Sequence, residues 1–182
     1  MSLQGYYNRF NSAQNFDSLD FRASKGLQSA ELNEIQSIFS DRLTKIAGAI
    51  FQDGSIVRGG AAIIDAQTGD VTMNSGAVYV VGAVREVDQA QFQIPTTGGL
   101  QIGIRVTTTT VTELEDASLR DPATGTRNYQ EPGAGRTKRE IAWGWSGDGS
   151  TGDFYGVYDV LNGVLVQAYD PPALDGVKRI VA

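Results

Sequence analysis

The sequence has no cysteine and no histidine. The first absence excludes disulfides, thiolate-ligated zinc and thiol catalysis, and leaves the chain indifferent to the redox state of its compartment. The second removes the side chain most used as acid, base and metal ligand near neutral pH. No apolar run approaches the 18 or more residues of a membrane span. The opening segment MSLQGYYNRFN lacks the basic and apolar regions of a secretion signal, so a soluble protein made in a cytoplasm is expected. An excess of basic charge is also missing: 15 Lys and Arg stand against 21 Asp and Glu, a net charge of −6. Non-specific nucleic-acid binding needs a basic footprint, so no nucleic-acid partner and no membrane partner are expected.

What the sequence does contain is glycine, 22 of 182 residues, which points to turns and a β-rich chain. That length suits one core with a helical appendage. Residues 1–26 have no period but carry Tyr6, Tyr7, Phe10, Phe16 and Phe21. Disordered segments avoid aromatics, so an ordered arm is expected, laid over its own chain or a neighbour. From Ser29 to about Gln52 the period becomes helical: Leu32, Ile35, Phe39, Leu43, Ile46 and Ile50 recur at intervals of three and four. Ser29 is the expected N-cap, and Asp53-Gly54 the stop. Such a stripe either covers a sheet or associates with copies of itself.

After Gly54 the period drops to two. Short strands at 61–65 and 71–73 flank a turn at 66–70, and strands at 78–81 and 84–87 flank Gly82-Ala83, a pattern for a type II′ turn. Phe92 and Ile94 mark a further strand. The strongest strand runs from Leu100 to Val111, with Leu100, Ile102, Ile104 and Val106 on one face and Gln101, Arg105 and Thr107 on the other. Strands at 141–145, 154–161 and 164–169 follow, the last two joined by Asn162-Gly163, and Pro171-Pro172 closes the sheet. Ala173 to Ala182 carries one weak apolar pattern. The expected fold class is α+β, mainly β: a long N-terminal amphipathic helix, then eight or nine strands in an antiparallel β-sandwich or partly open barrel. The expected division is 1–54, arm and helix for docking and oligomerisation, and 55–182, a β domain with a long loop at 112–140.

No stretch carries a credible reaction centre. Gly147, Gly149 and Gly152 fit GxGxxG, but a strand follows where a dinucleotide site needs a helix N-terminus. Gly133 to Lys138 lacks P-loop spacing. Asp148 and Asp153 could offer oxygens to calcium, though the EF-hand pattern is absent. Glu113, Glu115, Asp116 and Asp121 could be paired as glycosidase carboxylates, but any acidic loop can be read so, and nearby arginines are available to pair with them. The expectation is a non-enzyme with no catalytic residues, no cofactor and no metal.

The segment from Glu113 to Trp145 suits contact. A connection of about 25 residues is long for a compact domain, and such loops are usually functional or disordered. Arg120, Arg127, Tyr129 and Arg136 are its candidate interface residues, since Tyr and Arg dominate interface hot spots. Salt bridges from its arginines are expected to fix it. Tyr6, Tyr7, Phe10 and Phe16 of the arm, and Leu32, Ile35, Phe39 and Leu43 of the helix, complete the expected interface. Trp143 and Trp145, two apart on a strand, share a face, either in the core or as an exposed platform for host surface glycans.

Several blocks carry a family resemblance: YYNRF followed by FRASKGLQSAELNEIQSI, then FQDGSIVRGG, SGAVYVVGAVREV, TELEDASLRDPATGTRNYQEPGAGR and GDFYGVYDVLNGVL. Together these resemble a family of phage tail proteins whose shared domain has no assigned function, over nearly all of residues 5–175. The resemblance implies a place near the base of a contractile tail, as the anchor of a tail fibre or as a baseplate component. It implies a virion protein assembled in the bacterial host cytoplasm, with baseplate and tail-fibre proteins as partners and a homo-oligomer, a trimer favoured, as its form. Members commonly continue past the position of Leu174 into fibre or shaft sequence. This sequence stops at Ala182, so no receptor-binding tip is expected within it.

Overall fold

The computed structural model describes residues 5–168. The chain is mainly β and sandwich-like, with one α-helix, α1 (Ser29–Gly48), among the described residues. Ten strands follow: β1 (Ile56–Gly59), β2 (Ala62–Ile64), β3 (Asp70–Met73), β4 (Gly76–Val80), β5 (Ala83–Val87), β6 (Ala90–Gln93), β7 (Gly99–Val111), β8 (Arg136–Trp145), β9 (Asp153–Leu161) and β10 (Val164–Ala168). They form three antiparallel sheets, ordered β1-β4-β5, β2-β3-β6 and β10-β9-β7-β8. The expected strand end at Tyr169, the Pro171-Pro172 stop and the apolar pattern after them lie outside the described residues.

The three sheets share one core. Val78, Val80 and Val87 come from the first, Val71 and Met73 from the second, and Ile102, Ile104, Val106, Trp143, Val157 and Val160 from the third. β7 behaves as its alternation requires: Ile102, Ile104 and Val106 are fully buried, while Arg105 and Thr107 on the other face keep contact with solvent. β7 is flanked on both sides, by β8 from Ile102↔Trp145 to Val111↔Arg136 and by β9 from Gly99↔Leu161 to Val106↔Asp153. β8 begins five residues earlier than its apolar pattern suggests. Its charged first half, Arg136–Glu140, is held by pairing with the threonine run of β7 rather than by burial.

Two turns separate cleanly by chemistry. Asn162-Gly163 joins β9 to β10 with both residues at positive φ, 50° and 74°, the type I′ geometry that this pair favours. The β4–β5 hairpin turns one residue earlier than expected, through Val81 and Gly82 at φ 49° and 73°, so it too is type I′ and not II′. A β-branched residue in that region is strained. The carboxylate of Asp53 compensates by accepting the Val81 N–H at 2.8 Å.

The helix is shorter than its apolar stripe. Its N-cap is Gln28, whose N–H donates to Glu31 at 2.9 Å, one residue before the expected Ser29. It ends at Gly48, a poor helix residue, rather than near Gln52. Phe51 is drawn out to stack on Tyr79 with ring centroids 5.4 Å apart. Gly54, expected as the helix stop, serves the junction with the sheet. At φ 95° its N–H donates to Tyr79 O at 2.9 Å, and a Cβ there would collide with the Gly156 carbonyl.

Candidate functional site

The described surface is best understood from the helix outwards. All five charged residues of α1, Glu31, Glu34, Asp41, Arg42 and Lys45, lie on the side that the N-terminal arm covers. The Arg9 guanidinium reaches Glu31 at 3.8 Å and Glu34 at 3.6 Å. Asn8 donates to Ser37 at 2.7 Å, and Asn33 donates to the Tyr7 carbonyl at 2.8 Å. Ser12 donates to Asp41 at 3.0 Å and accepts from Lys45 at 2.9 Å, while Arg42 pairs with Asp17 at 2.6 Å. The arm therefore runs up the helix from residue 7, turns through a 3-10 segment at Ser12–Gln14, and meets the helix again at Asp17. The Lys45 ammonium bonded to Asp41 outweighs partial burial and, with Ser12, holds that carboxyl below the usual range.

The adjoining side of the helix has no cover. Leu32, Phe39, Leu43, Ile46 and Ile50 are each between 44% and 64% exposed, and Ile35 beside them is half-buried. Of the two readings that the periodicity allowed, a helix covering its own sheet is not what the fold contains. The faces that touch the chain are the charged one with Ile38 and the uncharged one with Thr44, which packs at Gly82, not the apolar stripe. A third, uncharged side bears Gln36, Ser40 and Thr44. It borders a groove of about 730 Å³ shared with Tyr6, Thr137 and Arg139.

Among the arm aromatics, Tyr6 donates to the Gly133 carbonyl at 3.3 Å and so links the arm to the long loop. Phe10 is half-buried against Ile38 in a small cleft, whereas Tyr7 and Phe16 are exposed. The helix contributes Leu32, Phe39 and Leu43 to one exposed row.

The loop is ordered by a different chemistry from the expected one. Among the described residues no ion pair involves Arg120, Arg127 or Arg136. Arg120 donates to the Gln130 carbonyl at 3.1 Å, Arg136 donates to the Ala134 carbonyl, and Arg127 is exposed at the loop's outer turns. The carboxylates instead accept main-chain N–H groups. Glu115 takes Thr112 N at 2.7 Å, Asp116 takes Ser118 N at 2.9 Å and Asp121 takes Ala123 N at 2.8 Å. The Thr112 hydroxyl and amide hold the Glu115 carboxyl below its ordinary range, and Ser118 does the same for Asp116. Main-chain bonds from Asp121 N to Glu131 O and Gln130 N to Asp121 O, both 3.0 Å, close the loop on itself as a small hairpin. Tyr129, 46% exposed, sits at its far end.

The tryptophans share a face, and it is the core face. Trp143 is 6% exposed, with Gly60 against its ring, where a Cβ would come within 3.2 Å, and Trp145 is half-buried beside the Gly147 turn. The pair makes no exposed glycan platform. Asp148, a conceivable calcium ligand, is used inside the chain. It accepts from Arg105 at 2.9 Å, Trp145 N at 3.1 Å and Ser150 N at 2.8 Å. Arg105 also lies over the Phe154 ring at 4.9 Å. Burial pushes the Asp148 carboxyl up, but the Ser150 amide, Arg105 and the Trp145 amide outweigh it and leave it below the usual range. The residues that sequence reasoning missed are the polar ones of the clasp, Asn8, Arg9, Ser12 and Asp17. They sit in a segment without period, so spacing could not have exposed them.

Among the described residues, no helix is long and apolar enough to cross a membrane. Comparison with known proteins gives one match. A family described as a domain of unknown function (DUF4815) covers residues 5–182. No curated protein and no solved structure matches the chain. With nearly its whole length inside that match, the chain belongs to the DUF4815 family.

Proposed function

We propose that this chain is a structural, non-enzymatic protein of a phage tail, joining tail fibre to baseplate through protein–protein contacts. The observation that carries the reading is the uncovered row on α1. Four large apolar side chains in one line, Leu32, Phe39, Leu43 and Ile46, each about half exposed and followed by Ile50 just past the helix end, form a surface of the kind that marks an interaction site. The clasp adds support, because it satisfies every charge of the helix and so leaves the apolar row as the face offered outwards. The loop closed by its own main-chain bonds presents Arg127 and Tyr129 at its far end, a second contact with little ordering left to lose on binding. The assignment to a phage tail rests on the resemblance of the YYNRF and TELEDASLRDPATGTRNYQEPGAGR blocks. In that setting the protein is a virion component, assembled in the bacterial cytoplasm with baseplate and fibre proteins as partners.

The test is genetic and biochemical. Purified tails should contain the chain at the baseplate end, and tails made without it should lack fibres. Tyr129→Ala and Arg127→Ala should fold normally yet fail to enter tails. Absence of the chain from particles, or fibre-bearing tails in its absence, would overturn the proposal. Normal entry of both point variants would remove the loop from the interface.

A further inference from the structure

The core face of the β7–β8 ladder runs on past the core. Trp143 and Ile141 lie within it, and the alternation of β8 puts Arg139 and Thr137 on the same face beyond them, level with Thr108 and Thr110 of β7. Thr110, Thr137 and Arg139 look across at Gln36, Ser40 and Thr44 of α1, and the space between is the groove of about 730 Å³.

Two cations meet at the Thr44 end. The Thr44 hydroxyl abuts the β4–β5 turn, 2.5 Å from where a Cβ on Gly82 would stand. Arg85 is bonded to that same turn, donating to the Val80 and Val81 carbonyls at 3.2 and 3.5 Å, which leaves most of its N–H groups unused. Burial and then the Arg139 charge pull the Arg85 guanidinium below its usual range, so the two cations feel one another. Among the described residues neither has a carboxylate partner, although the sequence carries 21 acids. Asp41 in the groove wall is committed to Lys45 and Ser12, and Asp53 to the Val81 N–H. Two guanidinium groups side by side without an acid repel, and a bound carboxylate, which arginine takes through paired N–H···O bonds, relieves them.

Shape selects what carries that carboxylate. Between Asn33 and Thr44 the helical wall is about 16 Å long, the reach of about five residues of extended chain. Gln36, Ser40, Thr44 and Thr137 make no side-chain hydrogen bond among the described residues, and between them they offer both donors and acceptors. A main chain presents both at every residue. The opposite wall includes Thr137 and Arg139 of β8, the outer strand of its sheet, and no described strand pairs with its other side. Such an edge takes an extended peptide by strand addition.

We therefore propose that this groove takes an extended acidic segment of a partner protein, with one carboxylate seated between Arg85 and Arg139. The groove is separate from the apolar row and from Arg127 and Tyr129, so its failure leaves the tail reading standing, and failure of the tail reading leaves the groove.

The test is an array of hexapeptides, with one residue fixed as Glu, Gln or Lys and the others randomised, probed with the tagged full chain at low salt. Spots with Glu should bind about tenfold more chain than those with Gln, the gain expected of a charge-assisted contact, and the excess should fade as salt screens it. Arg139→Gln should lose the preference for Glu while melting no lower than the wild type, because among the described residues Arg139 has no partner to lose. Arg139→Glu, which sets a carboxylate beside Arg85, should melt higher and bind no acidic peptide. Equal signal on Glu and Gln spots, or an unchanged preference in Arg139→Gln, overturns the site. A lower melting temperature for Arg139→Gln shows that the chain itself uses Arg139 and overturns it as well. If tetragalacturonate or inorganic phosphate competes as strongly as the preferred peptide, the groove reads the anion without the chain that carries it, and the acidic-segment proposal fails.

Discussion

Helix α1 and strand β7 each carry a regular row of large aliphatic residues, and the fold treats the two rows oppositely. On β7, Ile102, Ile104 and Val106 are shut inside the core shared by three sheets, fed from both sides by β8 and β9. On α1, the row from Leu32 to Ile46 faces outwards, and the polar sides of the helix meet the rest of the chain. The contrast has a physical cause. The arm supplies Arg9, Ser12 and Asp17, which satisfy the helix's charges, and spends Phe10 on Ile38, leaving the row from Leu32 to Ile46 without cover. A period therefore reveals that a face is apolar; what covers it depends on the chemistry of the neighbouring segment.

The largest expected effect tests the contrast directly. Ile104→Ala removes a fully buried side chain and should lower stability by about 2–5 kcal/mol, read from urea unfolding at high dilution. Phe39→Ala, a larger truncation, should change the same measurement by only about 0.5 kcal/mol, as expected of an exposed position. Equal losses at high dilution would mean that the helix row is covered within one chain, erasing the distinction.

A smaller effect is expected at the pair that closes the solvent side of β7. Arg105 and Asp148 are each about 15% exposed, and Asp148→Ala leaves the guanidinium poorly solvated and without its carboxylate. A loss of about 3 kcal/mol is expected, the lower end for breaking a buried pair because some water remains. The Asp148 carboxyl is depressed in the folded state, so its contribution is fully present above the unfolded value of about 4. It is lost as pH falls through the lower folded value. The stability difference between wild type and Asp148→Ala should therefore be flat from neutral pH down to about 5 and shrink below about 4. A difference that grows on acidification would show that the pair does not hold this turn.

How much of this was legible in the sequence depends on the range of the signal. The alternation of β7 and the Asn162-Gly163 turn are local, and both appear where the residues place them. β1 was hidden because Ile56–Gly59 is too short to show a period. The first half of β8 was hidden because Arg136–Glu140 alternates no apolar residue and is a strand only by pairing with Thr107–Val111. The shared face of Trp143 and Trp145 was readable, but its inward direction was not, since that depends on Gly60, in the distant link between β1 and β2, making room. The Arg105–Asp148 pair joins residues 43 apart. The loop misled by composition: four arginines among carboxylates suggested ion pairs, while main-chain amides, invisible in any sequence, had already claimed the carboxylates. The apolar row of α1 was fully legible, and its exposure was not.

The smallest effect sharpens the contrast from the side of the arm. Tyr6 is the one described arm residue hydrogen-bonded to the long loop, through its hydroxyl to Gly133 O at 3.3 Å. A bond of that length, partly open to water, contributes about 0.5–1 kcal/mol, so Tyr6→Phe should leave global unfolding almost unchanged. Its effect should be local, because weakly buried segments open with far lower free energies than the core. Hydrogen exchange should quicken at the amides of residues 119–133, while the β7 amides between Ile102 and Val106 keep their protection. If the ion pairs at Glu31, Glu34 and Arg42 hold the arm independently, exchange at Asn33 and Ser37 will also be unmoved. Faster exchange along α1 would instead mean that the clasp and the loop fold as one unit, and that the charged face of the helix depends on the loop for its cover.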